Sequence, residues 1–125
     1  MTKYKFLLDS SAWIEYIRGT KIGEKVKAIV DDDNNIILTP GVVCTEVTSL
    51  SARAGEDYKR AEQIIRELSG QPDEQWDYFF EAGIMHYELR KTHKDISLID
   101  AVIKVIAEKN NATLVTKDFH LKDSG

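Results

Sequence analysis

The sequence predicts an α/β fold: a three-layer α/β/α sandwich around a mostly parallel central sheet. Three observations lead there. Short apolar runs of strand length recur, and each stops at polar residues. The segments between them carry apolar residues at helical spacing. Strands therefore alternate with helices along a chain one domain long, an order that implies a parallel sheet covered on both faces.

Tyr4–Leu8 is the first apolar run, and Asp9-Ser10-Ser11 closes it with residues that favour helix starts. The helix that follows carries Trp13, Ile14 and Ile17. Val26, Ile29 and Val30 mark a second helix over Gly23–Val30, and the acidic turn Asp31–Asn35 leads to a second strand at Ile36–Leu38. Thr39-Pro40-Gly41 ends that strand. Val42–Ala54 returns to helical spacing with Gly55 as its stop, and Tyr58–Leu68 reads as a further helix. After the polar loop Ser69–Asp73, Trp76–Lys91 forms a helix whose apolar face is expected to include Phe79, Phe80, Ile84 and Leu89. Ser97-Leu98-Ile99-Asp100 opens a strongly apolar helix that Asn110-Asn111 ends, and Thr113-Leu114-Val115 is the last clear strand before Thr116-Lys117-Asp118.

The 125 residues are expected to form one domain, 1–125, around one core, since the apolar share of 42% is near the globular average. No stretch approaches the roughly 20 apolar residues of a membrane span, and no leader pattern is seen, so a soluble cytoplasmic protein without membrane attachment is expected. Cys44 is the single cysteine, which excludes an intrachain disulfide and a thiolate cluster. A net charge of -4 opposes passive binding of nucleic acid through phosphate neutralisation. Carboxylates gathered around a divalent cation reverse that argument locally, because the ion turns an acidic pocket into a phosphate site.

Four acids sit where such a pocket forms, outside the carboxyl ends of the strands. Asp9 follows the first strand and Asp118 the last, while Glu46 and Asp100 lie near the starts of two helices. Each has a plainer reading. Asp9 can cap a helix, Asp100 stands three residues after Ser97 as in a capping box, Glu46 can be a solvated charge and Asp118 can build a turn. Their joint placement favours one site over four separate accidents.

Leu7-Leu8-Asp9-Ser10-Ser11, Thr45-Glu46-Val47, Ile96-Ser97-Leu98-Ile99-Asp100-Ala101 and Leu114-Val115-Thr116-Lys117-Asp118-Phe119 resemble, in order, the four signatures of PIN-domain nucleases. Order, spacing and length resemble most the short PIN proteins that act as VapC-type toxins. The resemblance implies that Asp9, Asp100 and Asp118 bind metal directly, that Glu46 is the outer acid, and that Ser11 and Thr116 orient carboxylates. Hard oxygen donors select Mg2+ or Mn2+ over zinc. The implied activity is endoribonuclease cleavage of RNA, leaving a 5′-phosphate and a 3′-hydroxyl. The implied partners are a cognate antitoxin, which lays a segment in an apolar groove, and a second copy in a homodimer. Arg18, Arg53, Lys104 and Lys117 are the candidates for holding the RNA backbone.

Other readings stay open beside this one: an RNA-processing PIN nuclease, a PIN fold that only binds, and a receiver-like signalling domain. The last fits poorly, because Ile36–Leu38 ends in Thr39-Pro40 and Asp9 has no acidic neighbour. Family members usually run on from the last signature into a final strand, here expected to be missing or very short. His86, His93 and His120 share no ligand spacing and are assigned to surface or core, with His120 the nearest to a signature. Cys44 is read as a small core residue, Asp31-Asp32-Asp33 as a solvated turn, and Trp13, Tyr16, Phe79, Phe80 and Tyr87 as core before binding surface.

Overall fold

The structure is a computed structural model that describes residues 3–118. The expectation of a missing or short final strand, and the placement of Phe119 and His120, lie outside these residues.

Three parallel strands form an open sheet: β1 (Tyr4–Leu8), β2 (Asn35–Leu38) and β3 (Thr113–Val115), in the order β2-β1-β3. Leu7 sits across from Leu38 on one side and Leu114 on the other. Successive strand residues face opposite ways, and both Leu7 and Leu8 are completely buried, so helices cover both faces of β1. Between β1 and β2 run α1 (Ser10–Arg18) and α2 (Lys21–Val30); between β2 and β3 run α3 (Gly41–Arg53), α4 (Tyr58–Leu68), α5 (Trp76–Leu89) and α6 (Leu98–Lys109). The first connection leads from the centre to one edge and the second leads back past it. Right-handed crossovers then put the two sets of helices on opposite faces, giving the three layers.

The main core joins Trp13 and Ile14 of α1, Val26 and Ile29 of α2, Val43 and Val47 of α3, Ile65 of α4 and Ile106 of α6 with the strand residues. Burying the Trp13 indole requires a partner for its N–H. Nε1 donates to Thr39 Oγ1 at 3.0 Å, Thr39 donates to Ser69 Oγ at 2.8 Å, and Ser69 donates to the Ile65 carbonyl at 2.7 Å. The loop read as merely polar, Ser69–Asp73, thus has work in the fold. Gly70 also bridges to Leu38, closing part of the outer edge of β2.

Helix boundaries follow local chemistry. Thr20 caps α2 through a bond from Gly23 N–H, which starts the helix two residues before the expected Gly23. Gly23 lies where α1 and α2 cross, and a Cβ there would stand 2.1 Å from the Glu15 carbonyl oxygen. Gly55, with φ +73°, follows the C-cap Ala54 in the left-handed conformation that glycine adopts without cost.

α5 corrects the sequence expectation. Its covered side is Tyr78, Ala82 and Met85, packed with Ala101 and Val105 of α6. Phe79, Phe80, Ile84 and Tyr87 are exposed. Apolar residues occupy nearly the whole circumference, so periodicity could not say which side faces inward. Among the described residues no helix is long and apolar enough to cross a membrane.

Candidate active site

β1 delivers Asp9 to the carboxyl end of the sheet. Its own N–H continues the ladder by donating to the Val115 carbonyl at 3.1 Å, so Asp9 is tied to the exit of β3. Asp9 is also the N-cap of α1: its Oδ1 accepts from Ala12 N–H at 2.9 Å and from Ser11 Oγ at 2.7 Å. Both of these bonds fall on Oδ1, and no hydrogen bond among the described residues engages Oδ2. Burial pushes the Asp9 carboxyl above its ordinary range; the bonds from Ala12 and Ser11 pull it back in part, and the Asp100 carboxylate adds a smaller push upward.

A cleft of about 300 Å³ opens beside Asp9, with Asp100, Thr116, Lys104 and His93 as its polar walls and Leu89, Ile96, Ile103 and Leu114 as its apolar ones. Asp100 reaches it from the first turn of α6. The capping box is real: Ser97 Oγ accepts from Asp100 N–H at 3.0 Å, and Asp100 Oδ2 accepts from Ser97 N–H at 3.2 Å. The plain and the functional readings of Asp100 therefore hold together, since the cap fixes a carboxylate whose charge is felt by Asp9.

Glu46 and Asp118 do not line this cleft. Glu46, in the second turn of α3, accepts from Ser10 Oγ at 3.1 Å, next to Asp9 in the chain. Asp118 is exposed on the turn after β3, where its N–H donates to Thr116 Oγ1 at 3.2 Å. That turn is anchored by Ser11, whose Oγ accepts from Lys117 N–H at 2.9 Å. All four acids thus gather at one end of the sheet, with Asp9 and Asp100 sharing the cleft and the other two linked to it through Ser10, Ser11 and Thr116. Among the described residues no three His, Cys, Asp or Glu groups stand close enough together to enclose a metal ion. The acids offer oxygen donors, and the half-buried Asp9 carboxylate, with one oxygen free of hydrogen bonds among the described residues, suits a hard cation.

Of the four basic candidates, only Lys104 lines the cleft. Lys117 follows Thr116 on the anchored turn. Arg18 closes the far end of α1, where Nε and Nη2 hold Glu56 at 3.1 and 2.9 Å, and Arg53 ends α3 with its Nε on the Ser49 carbonyl. His93 is the residue that sequence reasoning passed over. Its N–H donates to Leu89 O at 2.7 Å and its carbonyl accepts from Ile96 N–H, a turn that carries the ring to the cleft, with Nδ1 2.8 Å from Thr92 Oγ1. No sequence spacing signals it, because only the turn between α5 and α6 brings it to Asp9. Cys44 is partly buried against the core, and desolvation raises its thiol pKa, so it is a poor nucleophile.

The PIN domain family matches residues 6–124. No curated protein matches the chain. Among solved structures, VapC20 from Mycobacterium tuberculosis, described as a sarcin-ricin loop cleaving toxin, superposes with a TM-score of 0.71 at 17% identity, covering 96% of this chain and 95% of that one. VapBC2 from Rickettsia felis, bound to a DNA fragment from its promoter, gives 0.71 at 19% identity over 90% of this chain and 86% of that one.

Proposed function

The chain belongs to the PIN domain family, and from that premise we propose that it is a metal-dependent endoribonuclease, the toxin of a toxin-antitoxin pair. The observation that carries the reading is the half-buried Asp9 carboxylate, with one oxygen unengaged among the described residues, beside Asp100 in a cleft at the carboxyl end of a parallel sheet. A second support is the fold shared with VapC20, a sarcin-ricin loop cleaving toxin, and with VapBC2.

Asp9 and Asp100 would hold Mg2+ or Mn2+, with Asp118 and Glu46 drawn toward it from the turn after β3 and from α3. When bound, such an ion lowers the pKa of water and offsets charge building on phosphate oxygens. The chain's own residues do the rest. Ser11 and the Ala12 N–H hold one Asp9 oxygen and so fix the carboxylate beside the cleft. Ser10 orients Glu46, and Thr116 shapes the turn that carries Asp118. Lys104 supplies a cationic wall for a phosphate, Lys117 follows the cleft residue Thr116 on the anchored turn, and His93 offers a ring nitrogen to the same cleft. Leu89, Ile96 and Leu114 exclude water from its sides. The partners of this reading are single-stranded RNA, an antitoxin that covers the acids, and a second copy of the chain.

Purified protein is incubated with labelled single-stranded RNA in Mg2+, in Mn2+ and in EDTA, with Asp9→Asn and Asp100→Asn alongside. Cleavage that requires metal and disappears in both variants is expected. RNA bound but uncut in either metal would replace this reading with a PIN fold that only binds, the alternative that fits the absence, among the described residues, of three such groups close enough to enclose an ion.

A further inference from the structure

The acidic cleft has a basic neighbour. Arg90, Lys91 and Lys94 stand within five residues at the end of α5, in a chain whose net charge is -4. With His86 and Tyr87 they wall an open hollow of about 560 Å³, a size within the roughly 300–1,000 Å³ of small-ligand sites. Cations at the end of a helix have a plain reading, since they answer its dipole. Lys91 also has a local role: its Nζ lies 3.1 Å from Glu88 and 4.7 Å from the centre of the Tyr87 ring. Arg90 and Lys94, by contrast, take part in no ion pair among the described residues. Tyr87 stays 63% exposed even with Lys91 over its ring. An open aromatic ring and two unpaired cations in one hollow exceed what a helix dipole asks for.

The hollow and the cleft share a wall. Leu89 and His93 line the cleft, whereas the next residues, Arg90 and Lys94, line the hollow. Backbone bonds fix this partition: His93 N–H donates to Leu89 O at 2.7 Å, and Arg90 N–H to His86 O at 3.0 Å. His86 Nε2 lies 3.1 Å from the carbonyl oxygen of Ile96, a residue of the cleft. A strand with one phosphate beside Asp100 and Lys104 therefore meets cations again where it leaves over the end of α5. An unpaired base has a π face to lay on Tyr87, and its phosphates suit Arg90 and Lys94, the combination that holds single strands without reading their sequence. Bases stacked within a duplex offer no such face. An acidic protein segment would use the cations and leave the ring idle.

We propose that the hollow at the end of α5 is a subsite for the substrate strand, in which one unpaired base stacks on Tyr87 while Arg90 and Lys94 hold the flanking phosphates. This rests on the ribonuclease reading of the cleft and adds to it a binding element outside the acids. It also shifts the hold on RNA away from Arg18, which is bound to Glu56 at the far end of α1.

The test is fluorescence anisotropy of a labelled single-stranded RNA of about ten nucleotides, titrated with the full chain in EDTA over a series of salt concentrations, so that binding is read apart from cleavage. The wild type is expected to bind. Arg90→Ala combined with Lys94→Ala is expected to flatten the dependence of log affinity on log salt by about 1.4, at ~0.7 for each phosphate of a single strand. Tyr87→Ala is expected to weaken binding about 5- to 150-fold with the salt dependence unchanged. Tyr87→Trp is expected to bind as wild type and Tyr87→Leu, which keeps apolar bulk, to bind as weakly as Tyr87→Ala, a contrast that holds even if Tyr87→Ala disturbs α5. A wild type that binds no RNA overturns the subsite, as does binding that none of these variants alters. Displacement by an RNA duplex or by poly-glutamate as readily as by unlabelled single strand overturns it too, because the ring then has no part. Binding through Tyr87 by a chain that cuts nothing in Mg2+ or Mn2+ supports the subsite and overturns only the ribonuclease reading.

Discussion

Ser11 Oγ stands 2.9 Å from the backbone nitrogen of Lys117, 106 residues later in the chain, and gives its own proton to Asp9 at 2.7 Å. One hydroxyl therefore couples the acid after β1 to the turn that carries Asp118. Ser11→Ala removes both bonds at a half-buried position. The expected loss is about 1–3 kcal/mol in urea unfolding, and, from the freed carboxylate and turn, about 10- to 100-fold in metal affinity or cleavage. Stability and metal affinity unchanged would mean that the turn is held by other contacts.

Asp9 is the group whose protonation the fold favours, because burial raises its pKa. Its contribution to stability is complete below the ordinary Asp value and is lost as pH rises through the raised folded value. At pH 7 in EDTA the charged Asp9 therefore costs stability, and Asp9→Asn, an equally good helix cap, is expected to melt higher than wild type. That advantage shrinks as the pH is lowered through the pKa of Asp9. Adding Mn2+ reverses the order: at 100 times its dissociation constant it stabilises wild type by about 2.7 kcal/mol and leaves Asp9→Asn where it was. Differential scanning fluorimetry over pH 4 to 8, with and without Mn2+, reads both effects; a variant less stable than wild type in EDTA at pH 7 contradicts the burial argument.

Asp100 serves the capping box as well as the cleft, and substitution separates the two. Asp100→Asn keeps a side-chain acceptor for Ser97 N–H and is expected to cost under about 1 kcal/mol, whereas Asp100→Ala loses the cap and costs about 0.5–2 kcal/mol. Both are expected to abolish metal-dependent cleavage. Activity in Asp100→Asn with the loss confined to Asp100→Ala would make Asp100 a helix cap alone.

Lys104 and His93 line the cleft together with Asp9 and Asp100. Lys104→Met is expected to raise KM for RNA and to lower the salt dependence of binding by about one phosphate contact. His93→Ala is expected to lower cleavage while leaving the Mn2+-induced rise in melting temperature intact, which places its role with substrate. An Mn2+ response lost in His93→Ala would assign the ring to metal or to structure.

Gly23 offers a control remote from the chemistry. A methyl group 2.1 Å from the Glu15 carbonyl oxygen cannot be accommodated without moving α2 away from α1, so Gly23→Ala is expected to cost about 1–3 kcal/mol or more in urea unfolding. The metal response per folded molecule should be unchanged.

Local sequence determined a large part of this molecule. Strand and helix order, the stop at Gly55, the capping box at Ser97 and the four acids at strand exits and helix starts are all set by residues within one or two turns of each other. Such features depend on local hydrogen bonding and on apolar spacing, which a linear reading contains. Tertiary structure decided what needed two distant segments. It turned Phe79, Phe80 and Ile84 outward, because a helix apolar all round has no preferred side until α6 packs on one. It carried His93 to the cleft, left Arg18 with Glu56, and joined Asp9 to the Asp118 turn through Ser11. The same cause runs through each case: an acid's residue type and its place at a strand end are written locally, whereas its desolvation and its neighbours arise only when β1, β3 and α6 close around it.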